Sequence, residues 1–182
     1  PIAERGPLHG LPMAPKDAVA VRGFSTSWGY PGFAGTVEAQ DDELARRLCE
    51  AGAIFIGHSN MPEFGLGSHT FNQLYGHTYN PWDLSKTPGG SSGGAAVALA
   101  ADMLPLADGS DLGGSLRNPA SFCNVVGFRP SIGRMPFSRG FGWYGRMVTT
   151  GPMAKNVRDT ILLFSVMAGP HGIDPLTLAD PG

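Results

Sequence analysis

The sequence predicts an α/β fold, and three observations carry that prediction. Two segments, around residues 38–51 and at 157–169, show helical spacing of apolar side chains. Two short apolar stretches, AIFIGH (53–58) and LPLADG (104–109), read as strands. Helical and extended pieces alternate along the chain, the order expected of an α/β domain.

Each element follows from its own residues. Residues 1–36 are rich in proline and glycine, with short β-like pieces between them. In the helix around 38–51, Val37, Leu44, Ala45 and Leu48 fall near one face. Asp42 with Arg46 and Glu43 with Arg47 are favourable i,i+4 pairs, acid first. Gly52 ends this helix, and AIFIGH follows as a buried strand. Residues 60–90 read as a long ordered loop with turns at Asn80–Pro81 and Pro88–Gly89. The run Ala95–Ala101 is apolar on every side, so a helix there must be buried all round. LPLADG is the next buried strand. NVVGFRPSIGRMP (124–136) is extended but broken by glycine and proline. The last helix, 157–169, places Val157, Ile161, Phe164 and Ala168 on one face, and Gly169–Pro170 ends it.

A chain of 182 residues, 42% hydrophobic and 15% charged, suits one globular domain or part of a larger one. Its net charge of -2, with mixed signs, makes no electrostatic case for nucleic acid or an anionic membrane as partner. No stretch reaches the roughly 18 apolar residues a membrane span needs. The first residues, PIAERGPLHG, hold no apolar signal core and no starting Met, the expectation for a processed chain or a fragment. Cys49 and Cys123 have no C-x-x-C spacing. A disulfide framework and a zinc site are therefore not expected, and a reducing cytoplasmic compartment is. The 27 glycines and 16 prolines are not periodic, and apolar runs separate them. They predict many tight turns in an ordered protein.

The stretch TPGGSSGGAAVALA (87–100) is where chemistry enters. A flexible Gly/Ser spacer would not lead straight into an all-apolar helix. A phosphate cradle needs a lysine after the glycines or a G-x-G-x-x-G pattern, and neither is there. Gly90-Ser91-Ser92-Gly93-Gly94 fits the G-x-S-x-G elbow with Ser92 as nucleophile. That fold needs a strand running into the elbow and a later histidine; DLSKTPGG is a poor strand, and only His171 follows.

A second glycine-rich knot, ADGSDLGGSLR, spans 107–117. Successive glycines let backbone N–H groups converge, and Ser115 at the end of such a turn could attack an acyl carbon. Taken alone, an ordinary left-handed turn with Ser115 capping a helix explains it as well. Serine needs a base. The five histidines form no convincing triad pattern. A buried neutral lysine is the other known base, and Lys16 in GLPMAPKDAV has apolar flanks. On spacing alone, a surface lysine beside Asp17 is the simpler reading.

Joint occurrence changes that balance. The chain resembles the amidase signature family of serine hydrolases in three blocks: GPLHGLPMAPKD (6–17), GHSNMPEFG (57–65), and the continuous run 89–136 that holds both serine–glycine turns. The similarity continues weakly through 151–169. The resemblance implies a mixed central β-sheet flanked by helices, of which residues 1–182 would be a partial copy lacking the family's C-terminal part. It implies a triad of Lys16, Ser91 and Ser115, with a cis peptide at Gly90–Ser91. The oxyanion donors would be the N–H groups of Leu112, Gly113, Gly114 and Ser115. Asp111 would bond backbone amides, Arg117 would sit in an ion pair, and Cys123 would be a packed residue. No metal or organic cofactor is implied. Departures from the family pattern are His58 for lysine, Asn124 for glycine, and Phe128-Arg129 for Leu-Lys.

The expected function is hydrolysis of a small-molecule carboxylic amide through a seryl acyl-enzyme. Two alternatives stand beside it: the glutaminase-type subunit of an aminoacyl-tRNA amidotransferase, and a truncated, inactive domain. No direct nucleic-acid or membrane partner is expected. A homodimer contact or an additional chain is expected over any exposed core.

Overall fold

The computed structural model describes residues 5–136, 147–172 and 174–179. The Pro/Gly-rich start forms one short strand, β1 (Pro12–Met13). Asp42 then sets the first helix. Its carboxylate accepts from the Ala45 N–H at 2.9 Å, so α1 spans Glu43–Glu50 and begins later than the periodicity predicts. Capping takes Asp42 out of its expected pair with Arg46. Arg46 binds Glu43 (2.7 Å) and Glu50 (2.6 Å) instead. The Glu43–Arg47 pair forms as expected, at 2.6 Å. Val37 lies outside the helix and is exposed; Leu44, Ala45 and Leu48 make the buried face.

The next strand, β2 (Ile54–Phe55), pairs in parallel with β1. It differs from the buried strand expected at 53–58: it is two residues long, and Ile54 and Ile56 are exposed. A two-strand sheet buries only the side facing the core. Loop 60–90 is ordered and holds a small antiparallel pair, β3 (Phe71–Asn72) and β4 (Gly76–His77). Asn80 turns the chain by accepting from the Trp82 N–H at 2.9 Å.

The apolar run forms α2 (Gly93–Ala100), starting at the glycines themselves. Strand β5 (Leu106–Asp111) begins two residues beyond the start of the predicted LPLADG segment. A short helix, α3 (Arg117–Cys123), follows Ser115, but its N-cap is Leu116 and no side chain caps it, so the reading of Ser115 as a helix cap does not hold. Its seven residues, with Pro119 among them, show too little periodicity to announce a helix. It closes on Asn124, whose φ of 57° is left-handed. That explains a glycine as the family's usual residue there, and asparagine as the tolerated substitute. Strand β6 (Val126–Gly127) follows, then β7 (Thr149–Ala154) and α4 (Val157–Met167).

The last three strands form an antiparallel sheet in the order β5-β7-β6. Alternation along it separates two cores. Leu106 and Ala154 join Leu44, Leu48, Leu163 and Met167 on the side of α1 and α4. Ala107 and Met153 join Ala95, Leu99, Leu116 and Ala120 on the side of α2 and α3. Arg47 ties α1 to the end of α4 by donating to the carbonyls of Met167 (3.0 Å), Ala168 (2.6 Å) and Pro170 (2.9 Å). The buried face of α4 is Thr160, Leu163 and Met167, whereas Val157 and Ile161 are exposed. The predicted face is thus rotated, because Leu163 and Met167 complete an equally good i,i+4 stripe and the sheet selects that one.

Candidate active site

Lys16 lies just after β1, and the chain is held there from both sides. Asp17 N–H donates to Ser59 O (3.2 Å), and Ser59 N–H donates to Pro15 O (2.9 Å). Lys16 N–H donates to both carboxylate oxygens of Asp108, at 3.3 Å each. Lys16 is only 1% exposed and is therefore a buried lysine, not the surface residue that its spacing alone suggests. Asp17 does not serve it as an ion-pair partner. That carboxylate faces the next loop instead, accepting from Ser27 N–H (2.9 Å), Ser27 Oγ and Gly29 N–H (3.2 Å).

The ammonium end of Lys16 meets three hydroxyls. Nζ is 2.6 Å from Ser91 Oγ, 2.9 Å from Ser110 Oγ and 3.0 Å from Ser92 Oγ. Burial disfavours the charged form and lowers the Lys16 pKa to about 7, even though Asp108 and then Asp111 pull it upward. Asp108, buried beside the Lys16 backbone, is pushed up to about 6, burial again being the main cause. A cavity of about 250 Å³ reaches Lys16 past Thr26, Trp28, Asp108, Ser110 and Thr150.

Ser91 and Ser92 are buried at the start of α2, and the Gly90–Ser91 peptide is cis. Ser92 is enclosed on every side. Its Oγ donates to Ser110 O (3.3 Å) and accepts from Ser110 N–H (3.2 Å). Its N–H donates to Ser115 O at 3.2 Å, which stitches the two serine–glycine turns together.

Ser115 itself is half-buried, and its Oγ lies outside the hydrogen-bonded chain of Lys16, Ser91, Ser92 and Ser110. Asp111 shapes the turn before it. Its carboxylate accepts from Gly114 N–H (2.8 Å), Leu116 N–H (3.1 Å), Arg117 Nε (3.0 Å) and Arg129 (2.8 Å). Burial opposes its ionisation, but the bonds from Arg117, Leu116, Gly114 and Arg129 outweigh it and hold the carboxyl far below the usual range. Of the four expected oxyanion donors, Gly114 is therefore already engaged. Among the described residues, the N–H groups of Leu112, Gly113 and Ser115 make no hydrogen bond.

Three members of this site carry no sufficient signal in the sequence reading. Asp108 and Ser110 share one face of β5, two residues apart, and both reach Lys16. Period-two alternation pairs them once the strand is placed at 106–111. Arg129 gives no local signal, because it lies 18 residues from Asp111. Cys123 is buried against Pro88 O, and burial pushes its thiol up to about 11.

A profile of the amidase family matches residues 2–179. The chain belongs to the amidase signature family. A glutamyl-tRNA(Gln) amidotransferase subunit of Syntrophobacter fumaroxidans is 43% identical over 175 residues, 96% of this chain and 36% of that protein. An acylamidase of Rhodococcus erythropolis is 43% identical over 173 residues, 95% of this chain and 36% of that protein. A crystal structure of a bacterial aryl acylamidase of the family superposes with a TM-score of 0.92 at 34% identity, covering 98% of this chain and 38% of that one. This amidase signature chain thus spans little more than a third of the length of the relatives it matches. Its mixed α/β architecture is that of the family, and the family is one of amide-hydrolysing enzymes.

Proposed function

We propose that the protein hydrolyses carboxylic amides through an acyl-enzyme on Ser115, with Ser91 and Lys16 as its proton relay. The supporting observation is the buried Lys16 amine, at 2.6 Å from Ser91 Oγ and with a pKa near neutrality. A neutral amine has two N–H donors and one lone pair. The Ser92 O–H is committed to Ser110 O, so Ser92 accepts from Nζ. Ser110 takes the second N–H. The lone pair is left facing Ser91, the shortest of the three contacts.

Ser115 Oγ bonds to the amide carbon while its proton passes to Ser91, and the Ser91 proton passes to Lys16. The free N–H groups of Leu112, Gly113 and Ser115 hold the oxyanion. Each such donor contributes on the order of 3 kcal/mol to the transition state. The C–N bond breaks as Ser91 returns a proton to the leaving amine and recovers one from Lys16. Water, deprotonated along the same route, releases the acid. For the wire to close, Ser115 Oγ must come within hydrogen-bonding reach of Ser91 Oγ.

A fluorophosphonate label tests this reading. Labelling of the folded chain at Ser115, lost in Ser115→Ala, is the expected result; a folded chain that never labels favours the inactive, truncated alternative. The glutaminase alternative rests on the amidotransferase relative, which is as similar as the acylamidase. Ammonia release from glutamine, measured with and without partner subunits, separates the two.

A further inference from the structure

Lys16 follows β1, whereas its hydroxyl partner Ser110 is on β5, a strand of a different sheet. On one side the main chain at Lys16 is laddered to Ser59, through the Asp17 N–H and the Pro15 carbonyl. Those bonds leave the Lys16 N–H directed away from Ser59. Among the described residues no carbonyl takes it. The Asp108 carboxylate does, at 3.3 Å to each oxygen. A side chain thus does there what a neighbouring strand's carbonyl would do.

Asp108 is buried, and among the described residues no charged side chain bonds to it. Burial pushes its carboxyl up to about 6, so its charge is held at a cost. An asparagine of the same shape would suit packing better. The charge acts on Lys16 instead: it is the largest pull toward the ammonium form, ahead of Asp111 and against burial. The other groups around Nζ are hydroxyls, those of Ser91 and Ser92 before α2 and of Ser110 on β5. Asp17 is turned to Ser27 and Gly29. Glu38, and Asp42 at the start of α1, line the cavity that Lys16 and Asp108 share, and the Asp42 charge opposes that of Asp108.

We propose that Asp108 is the positioning residue of the relay: its carboxylate fixes the main chain of Lys16 against β5, and its negative charge keeps the buried amine basic enough to take the Ser91 proton. This rests on the amidase reading and adds to it a group that acts through Lys16 alone. Without the charge, burial acts on Lys16 with less opposition, and the neutral amine persists to lower pH.

The test follows Lys16 directly, by NMR of the full chain with lysine labelled at Cε. The chain has two other lysines, Lys86 and Lys155, and Lys16→Met assigns the signal. Asp108→Asn keeps an oxygen acceptor for the Lys16 N–H but no charge. In it the Lys16 midpoint should fall from about 7 by about one pH unit, the size of one neighbouring charge. An unchanged or raised midpoint overturns the proposal. The acid limb of kcat/KM, on whichever of acetamide, benzamide or glutamine the wild type cleaves, should move down by the same amount. A limb that stays while the midpoint moves also overturns it, since Lys16 is then not the base. Asp108→Ala offers the N–H no acceptor, so its plateau kcat should lie about tenfold or more below that of Asp108→Asn. Equal plateaus remove the fixing role. Asp108→Ser, one bond shorter, takes its place if Asp108→Ala does not fold. If the wild type cleaves none of the three amides, the amidase reading fails, and the NMR midpoint alone decides what Asp108 does to Lys16.

Discussion

In the run 89–94, glycine lets other parts of the chain press in; at Gly113, in the turn before Ser115, it leaves room for something to arrive. A Cβ on Gly94 would lie 2.4 Å from the Asn60 backbone N, and Ser91 and Ser92 are buried under these approaches. A Cβ on Gly113 would meet nothing within 4 Å, and Leu112 beside it is exposed. Two turns of nearly the same composition thus differ at the stretch Leu112–Gly113, which is open where residues 90–94 are closed. One is a closed relay with its hydroxyls fixed, and the other is an open nest with free N–H groups. The contrast fits the proposed chemistry, in which proton transfer needs fixed partners and substrate needs access.

The largest expected effect lies at the open turn. Ser115→Ala should lower amide turnover by about 10⁴-fold or more, as loss of a nucleophile does. Retained turnover, measured on purified folded protein, would move the nucleophile elsewhere. Next comes the closed turn's base. Lys16 works as the neutral amine, protonated below its pKa, so kcat/KM should rise with pH through about 7. Lys16→Ala should lose about 10³-fold near neutrality together with that limb of the pH profile. A profile flat across this range in the wild type would take Lys16 out of the scheme.

Within the closed turn the two serines should differ. Ser91→Ala is expected to cost about 10²–10³-fold in kcat, as loss of a proton-transfer group does, and Ser92→Ala markedly less. The reverse order would restore Ser92 as an elbow nucleophile. The smallest effect is on stability and compares the glycines directly. Gly94 lies in α2, where helix propensity alone makes alanine better by about 1 kcal/mol. The clash with Asn60 should reverse that sign, so Gly94→Ala should destabilise by about 1–3 kcal/mol in urea unfolding. Gly113→Ala should stay within about 0.5 kcal/mol. Equal effects would erase the distinction between the turns.

Much of this is legible from residues in sequence order. The helices at 43–50 and 157–167, the apolar helix after the serines, and the placement of Lys16, Ser91 and Ser115 near glycine-rich turns all rest on local pattern. Departures cluster where a specific hydrogen bond or packing contact overrides the periodic pattern. Val37 fits the helical stripe, but Asp42 starts the helix later. Val157 and Ile161 fit a face that the sheet does not take. Gly114 fits the set of oxyanion donors, but Asp111 reaches it first.

By itself the sequence determined which residues carry chemical capacity: two serine–glycine turns, one lysine with apolar flanks, and the family blocks around them. Periodicity and composition act over a few residues, and that range suffices for helices, turns and motifs. Only the tertiary structure decided that Asp108 and Ser110 face Lys16, and that both arginines close on Asp111. Most of those contacts join residues far apart in the chain. Burial and electrostatic shifts depend on what surrounds a group in space, and no local pattern encodes that.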